Sequence, residues 1–464
     1  MMSMPLVSMR RLFVASSKPG AGCCTGCDAV IPAVSHGRTA RIAQEHPARR
    51  GASGGGSGYP AAQEVFPMAP VLFLRALAAA GIAGVLVLAV NAVATIGPGS
   101  SGSAPGGIVP ALADPGPVPG QPLVGDDPVT IALAGDVHFE NQLAPVAADP
   151  QGLASLAPHL GAADLTIVNL ESAVTDGGGR RMAGKQFTFA TPPSGLTTLS
   201  NAGVDVVSLA NNHGVDFGAK GLEQTLAARA GSPVAMVGIG ANAAEAFAPS
   251  VHTVDGMSIA VLAATQLRDH TTVYFRAGED KAGVASMEDP ERLLAAVREA
   301  AITHDVVVVV PHWGVEKQTC PSAKQVAAAR QLADAGADVV VGGHSHRVMG
   351  SGWLGDTYVG YGLGNFVWFR NTTFPGRSTG VLTIEVDKGQ VSAKRKALAQ
   401  GEPSPGPVVV RDAWQPLSIP TSGIPAPDPE TAQQMLADRE KAVACSGLDA
   451  APRSAPLVAT APGR

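Results

Sequence analysis

Positive charge is not in excess over this 464-residue sequence as a whole. The formal net charge is -5, so the broad basic footprint of a nucleic-acid-binding protein is absent. Cysteine is scarce, with five in all. Cys23, Cys24 and Cys27 cluster in "CCTGC" but have no fourth ligand at a familiar zinc spacing. Cys320 and Cys445 are far apart. They form a disulfide if the domain is exported, or remain two free thiols. No repeat with a period of 20–50 residues is evident. Ala76–Val90 contains no polar side chain, and no Lys or Arg occurs between Arg75 and Arg180.

The last two absences point to a membrane. Residues 70–96 include "VLFLRALAAAGIAGVLVLAVNAVATI", and about 20 mostly apolar residues suffice to span a bilayer. Arg38, Arg41, Arg49, Arg50 and Arg75 precede the apolar core. That asymmetry predicts an N-terminus inside the cell and everything beyond about residue 95 outside it. A cleaved signal competes with an uncleaved anchor, because "AVA" at Ala92–Ala94 suits a cleavage site. Met68 is an alternative start. Residues 1–67 then read as a disordered tail or an over-long extension, and 97–128 as a Pro/Gly-rich linker.

Residues 129–399 read as the main domain. Apolar, largely β-branched runs occur at "VTIALAGD", "DLTIVNLE", "VDVVSLANNH", "SIAVLAAT", "DVVVVVPHWG" and "ADVVVGGHSH". Between several of them, "KGLEQTLAARAG", "DPERLLAAVREAA" and "PSAKQVAAARQLADAG" carry apolar faces at helical spacing. The alternation predicts a layered α/β domain with largely parallel central strands. "YVGYGLGNFVWF" and "TGVLTIEVDKGQVSAKRKA" read as strands without intervening helices, which predicts a mixed second sheet. Residues 400–464 form a Pro-rich tail in which "PDPETAQQMLADREKAVA" suits a helix packed on the domain.

Polar residues gather at the ends of the runs: Asp136 and His138, Glu171, Asn211 to His213, His312 and Glu316, then His344 and His346. Ligands bind outside the carboxyl ends of strands in open α/β sheets. Residues i and i+2 of a strand share a face, so His344 and His346 converge if the extended geometry persists. Carboxylate, imidazole and amide oxygen without thiolate suit Mn, Fe or Zn. The groups outnumber the needs of one ion. Two divalent ions sharing a bridging carboxylate would use them, as in sites that clamp a transferring phosphoryl group.

In this order, "GDVH", "NLE", "LANNHGVDFG", "PHWGVE" and "YGLGNFVW" resemble the bacterial capsule-synthesis CapA family, or poly-γ-glutamate biosynthesis proteins. That family is similar to calcineurin-like metallophosphoesterases. The resemblance covers residues 129 to about 370. It implies a four-layered α/β/β/α sandwich, here preceded by one transmembrane or signal helix. It also implies a membrane-tethered, outward-facing protein linked to an anionic γ-glutamyl polymer. Carried over by position, Asp136, His138, Glu171, Asn212, His312, His344 and His346 resemble the metal ligands, with Glu171 as the bridge. His213 resembles the substrate-contacting histidine, although its alternative is a hydrogen bond within its loop. Glu316 either serves catalysis or pairs with a nearby base, and Asn365 reads as a turn residue beneath the site. Glu replaces the usual bridging Asp, and "GHSH" stands where relatives often read H-H-P-H.

Two functions of different kind follow. One is a metal-dependent hydrolase acting outside the membrane on a phosphoester or on the anionic polymer, within capsule synthesis or apart from it. The other is a non-catalytic assembly or export subunit, partnered with other capsule-synthesis membrane proteins, whose metal site is structural or vestigial.

Overall fold

The structure is a computed structural model that describes residues 122–369 and 373–452. The apolar segment 70–96, the "CCTGC" cluster and most of the linker lie outside the described residues. Among the described residues, no helix is long and apolar enough to cross a membrane.

Two six-stranded sheets form the centre. In the first, β1 (Val129–Val137), β2 (Leu165–Leu170), β3 (Val206–Ser208) and β4 (Ala235–Val237) run parallel. The second contains β5 (Ser250–Val254), β6 (Met257–Thr265), β7 (Val306–His312), β8 (Val339–Val341), β9 (Ser351–Leu354) and β10 (Thr357–Gly360). Within it, β6, β7, β8 and β10 are parallel, while β5 and β9 pair antiparallel at the edges. The chain then returns to the first sheet, where β11 (Ser378–Val386) pairs antiparallel with β1 and β12 (Val409–Ser418) pairs antiparallel with β11.

Period-2 alternation explains the layering. Ile131 and Leu133 of β1 pack in one cluster with Ile259 and Val261 of β6 and Val306 and Val308 of β7, which fills the space between the sheets. Ala132 and Ala134 turn the other way, into a cluster with Leu196, Leu199 and Leu222. These come from the helices Ser194–Asn201 and Gly218–Arg229. Val307 and Val309 likewise meet Leu293, Val297, Ala329 and Leu332 of the helices Pro290–Thr303 and Ala323–Asp334. The result is helix, sheet, sheet, helix. Both sheets are mixed.

Three expectations are corrected. "TGVLTIEVDKGQVSAKRKA" is a strand only to Val386; the helix Lys388–Ala399 follows. The Asp387 carboxylate accepts from Gln390 N at 2.7 Å, and such an N-cap stops the strand and starts the helix. Of "YVGYGLGNFVWF", only Tyr358–Gly360 lie in a strand; Gly364, at φ +73°, helps turn the remainder into a loop beneath the site. The extended geometry also ends before the histidine pair. β8 stops at Val341, and His344 and His346 lie at φ 91° and 53°.

Two features close the fold. The helix Pro429–Ala444 buries Met435 and Ala442. Its C-cap, Cys445, is disulfide-bonded to Cys320 with Cα atoms 5.6 Å apart. At the other pole, Val124 N donates to Asp255 O at 2.8 Å.

Candidate metal centre

Glycines let the strand ends crowd together. The β1–β2 register shifts between Ala134 and Asp136. A Cβ on Gly135 would lie 2.0 Å from Gly364 O, so the strand crosses that loop only without a side chain. A Cβ on Gly343 would lie 2.5 Å from Asp136 Oδ1, and one on Gly342 2.3 Å from Trp313 Nε1. The glycine pair before the histidines therefore opens room for the Asp136 carboxylate and the Trp313 ring.

Two groups of potential ligands result. Asp136, Glu171 and His346 form one; Glu171, His312 and His344 form the other. Within each, donor atoms lie within 4.8 Å of one another. Glu171 belongs to both, the position the sequence assigned to the bridge. His346 Nδ1 is 3.3 Å from Asp136 Oδ2 and 2.8 Å from Asn365 Oδ1. His344 N donates to Asp136 Oδ2 at 3.3 Å. His312 Nε2 lies 2.8 Å from Asn212 Oδ1, which brings Asn212 against the second group.

The donor set fits a divalent cation. Both Glu171 oxygens and His344 Nδ1 are buried without a hydrogen-bond partner. A buried carboxylate left this way is costly unless a cation meets it. Burial, then the charge of Asp136, raises the Glu171 carboxyl well above the usual range. Burial also pushes Asp136 up, but the hydrogen bond and charge of His346 outweigh it and bring Asp136 down to about 2. Burial opposes charge on His346, yet Glu171 and Asp136 raise it to about 9. Burial and then His346 lower His344 to about 3, and burial and then His344 press His312 well below its ordinary value. His312 and His344 are thus neutral imidazoles, the form that ligates metal.

His213 sits beside this centre. Its Nε2 is 3.7 Å from Glu171 Oε1, and its Nδ1 is 2.6 Å from Asp216 Oδ2. Lys185 Nζ donates to Asp216 Oδ1 at 2.5 Å and also to the Asn212 carbonyl.

His138 and Glu316 belong to neither group. The His138 ring stacks on Phe189 at 4.6 Å and meets Trp368 and Phe369 edge-on at 4.3 and 4.8 Å. His138 Nδ1 accepts from Glu140 N at 3.1 Å. Glu316 is exposed, and its charge contributes to the raised value of His346. The sequence reading gave no role to Asn169, Asp216 or Lys185. Asn169 lay inside the quoted "NLE" and Asp216 three residues after His213, whereas Lys185 carried no signal.

The family described as "Bacterial capsule synthesis protein PGA_cap" matches residues 130–369. The PGA biosynthesis protein CapA of Bacillus subtilis (strain 168) is 31% identical over 253 residues, covering 53% of this chain and 65% of that protein. The capsule biosynthesis protein CapA of Bacillus anthracis is also 31% identical, over 54% of this chain and 62% of its own length. The chain therefore spans somewhat less than two thirds of these relatives. Among solved structures, a phosphatase of Mycoplasma pneumoniae matches at 14% identity and a TM-score of 0.38, over 67% of this chain and 98% of that one. With a family match that spans the candidate site from Asp136 to Trp368, this chain belongs to the bacterial capsule synthesis protein PGA_cap family.

Proposed function

We propose that the protein acts outside the cytoplasm in making a capsule or poly-γ-glutamate polymer, as a metal-dependent hydrolase of the phosphoesterase type. One observation carries the catalytic part: Glu171 is shared by two ligand groups, and both its oxygens are buried without a donor. Asp136, Glu171 and His346 would hold one divalent ion; Glu171, His312, His344 and Asn212 would hold the other. Such ions supply Lewis acidity to an oxygen of the substrate. His213, oriented by Asp216, then serves as the group that passes a proton to the leaving group. The Cys320–Cys445 disulfide suits an oxidising compartment, and the apolar segment 70–96 suits a membrane tether. Partner subunits in the same membrane are part of this proposal.

The position of His138 favours a second reading. A ligand candidate packed among aromatics suits a metal-binding assembly subunit without turnover. Metal content followed by turnover of an aryl phosphodiester separates the two. The wild-type chain should carry divalent metal and hydrolyse the diester, whereas Glu171→Ala should lose at least one ion and all hydrolysis. Metal without turnover on this and on isolated polymer would favour the assembly role. Location has its own test. Reporter fusions after residue 130 should be active with an extracytoplasmic reporter, and activity with a cytoplasmic reporter alone would reject the tether.

A further inference from the structure

We propose that Phe189 is a positioning residue: its ring and its backbone N–H together hold the His213 imidazole for proton transfer beside the candidate metal centre. Phe189 is buried and stands just before the short strand Ala190–Thr191, which pairs in parallel with Ala173–Val174. Ala173 N donates to Phe189 O at 3.1 Å, so the backbone that carries the ring is registered against the segment that follows Glu171. Phe189 N donates to Asp216 Oδ2 at 2.8 Å, the same oxygen that meets His213 Nδ1. The Phe189 ring stacks on the His213 ring, with centroids 4.3 Å apart and planes inclined by 28°. It also stacks on His138, at 4.6 Å and 20°. One residue thus holds the imidazole at its face and, through Asp216, at its edge.

The two holds act differently. Lys185 Nζ donates to Asp216 Oδ1 and Phe189 N to Oδ2, so the buried carboxylate offers Nδ1 a fixed acceptor. The backbone of His213 is anchored as well, where His213 N donates to Asn211 Oδ1 at 2.9 Å. Held only by its Cβ and by one hydrogen bond, the ring could still tilt. Contact with an aromatic face removes that freedom. With Nδ1 engaged, Nε2 is the nitrogen left for chemistry, 3.7 Å from Glu171 Oε1. A ring face also attracts a cation, and His213 is one whenever it carries the proton it is to give. Misplacing a reacting group by about 1 Å can cost about 10²-fold in rate.

The proposal rests on the catalytic reading above, in which His213 passes a proton to the leaving group. Two diesters, assayed with the Mn2+-loaded full-length chain, test it: methyl p-nitrophenyl phosphate, whose leaving group departs without a proton, and methyl phenyl phosphate, whose leaving group needs one. Phe189→Ala should keep its metal by elemental analysis and its KM. Its kcat should fall by about 10²-fold on methyl phenyl phosphate and far less on the nitrophenyl ester. In a His213→Ala background the same substitution should cost nothing further, because it acts through that ring. In a crystal structure of Phe189→Ala, the His213 ring should leave its place 3.7 Å from Glu171. A wild-type chain that hydrolyses neither diester would defeat the catalytic reading, and this role with it. With an active wild type, a merely structural role would lower kcat equally on both diesters and add to the His213→Ala loss. Either result, or an unmoved His213 ring in the variant, would overturn the positioning role. If Phe189→Ala does not fold, Phe189→Leu keeps the apolar bulk without the flat face. The same contrast between diesters and the same silence in His213→Ala are expected of it, and their absence would again overturn the proposal.

Discussion

Gly343 shows how little space separates the ligands. Its φ is not in the left-handed region, so the constraint is contact: an added Cβ would lie 2.5 Å from Asp136 Oδ1. Gly343→Ala should displace Asp136 and cost about 1–3 kcal/mol, as overpacking does. Metal content should fall with it, measured by elemental analysis beside a urea titration. Full metal content in a folded variant would show that Asp136 is not a ligand. His213 is a different kind of residue. Its Nδ1 is bound to Asp216, and its Nε2 faces Glu171 at 3.7 Å without belonging to either ligand group. His213→Ala should therefore keep its metal and slow diester turnover by about 10²–10⁴-fold, the usual worth of a general acid. Equal metal loss in His213→Ala and Glu171→Ala would assign His213 to the ligands instead.

At the scale of elements, the start of β7 is tied to a helix by one buried carboxylate. Asp305 accepts from Ser258 N at 2.7 Å, Ser258 Oγ at 2.8 Å and Arg395 Nη2 at 2.7 Å. Arg395 lies on the helix Lys388–Ala399. Burial pushes the Asp305 carboxyl up, but these bonds and the charge of Arg395 bring it below its ordinary 3.8. A folded value below the unfolded one adds stability above the unfolded value, which is lost as pH falls through the folded one. Asp305→Asn should be less stable than wild type by about 1.5–3 kcal/mol near pH 6, the worth of a charged hydrogen bond. The gap should narrow below pH 3.8. Urea midpoints at pH 6 and pH 3 read this directly, and a gap that stays constant would remove Asp305 from the acid response.

For the molecule as a whole, the strongest periodic signals were legible in the sequence. All six quoted apolar runs contain sheet strands, β1, β2, β3, β6, β7 and β8, because continuous β-branched burial leaves few alternatives. β12 was not legible. Its residues alternate between exposed and part-buried over most of "VVRDAWQPLS", and it lies within the Pro-rich tail at a sheet edge. The same divide runs through the site. Strand-end motifs singled out Asp136, Glu171, Asn212, His312, His344 and His346 one by one. The aromatic packing of His138 depends on Phe189 and Trp368, which are distant in sequence, and no local pattern announces such contacts. The Cys320–Cys445 bond belongs to this largest scale. It closes 125 residues of sequence separation into a covalent ring that contains β8 to β12 and both histidines of "GHSH". In mechanical terms, a pull on the chain beyond Cys445 is carried across the bridge to the segment just after His312, and the last helix cannot be peeled away on its own. A protease cut inside the ring would likewise leave two pieces that part company only in a reducing solution.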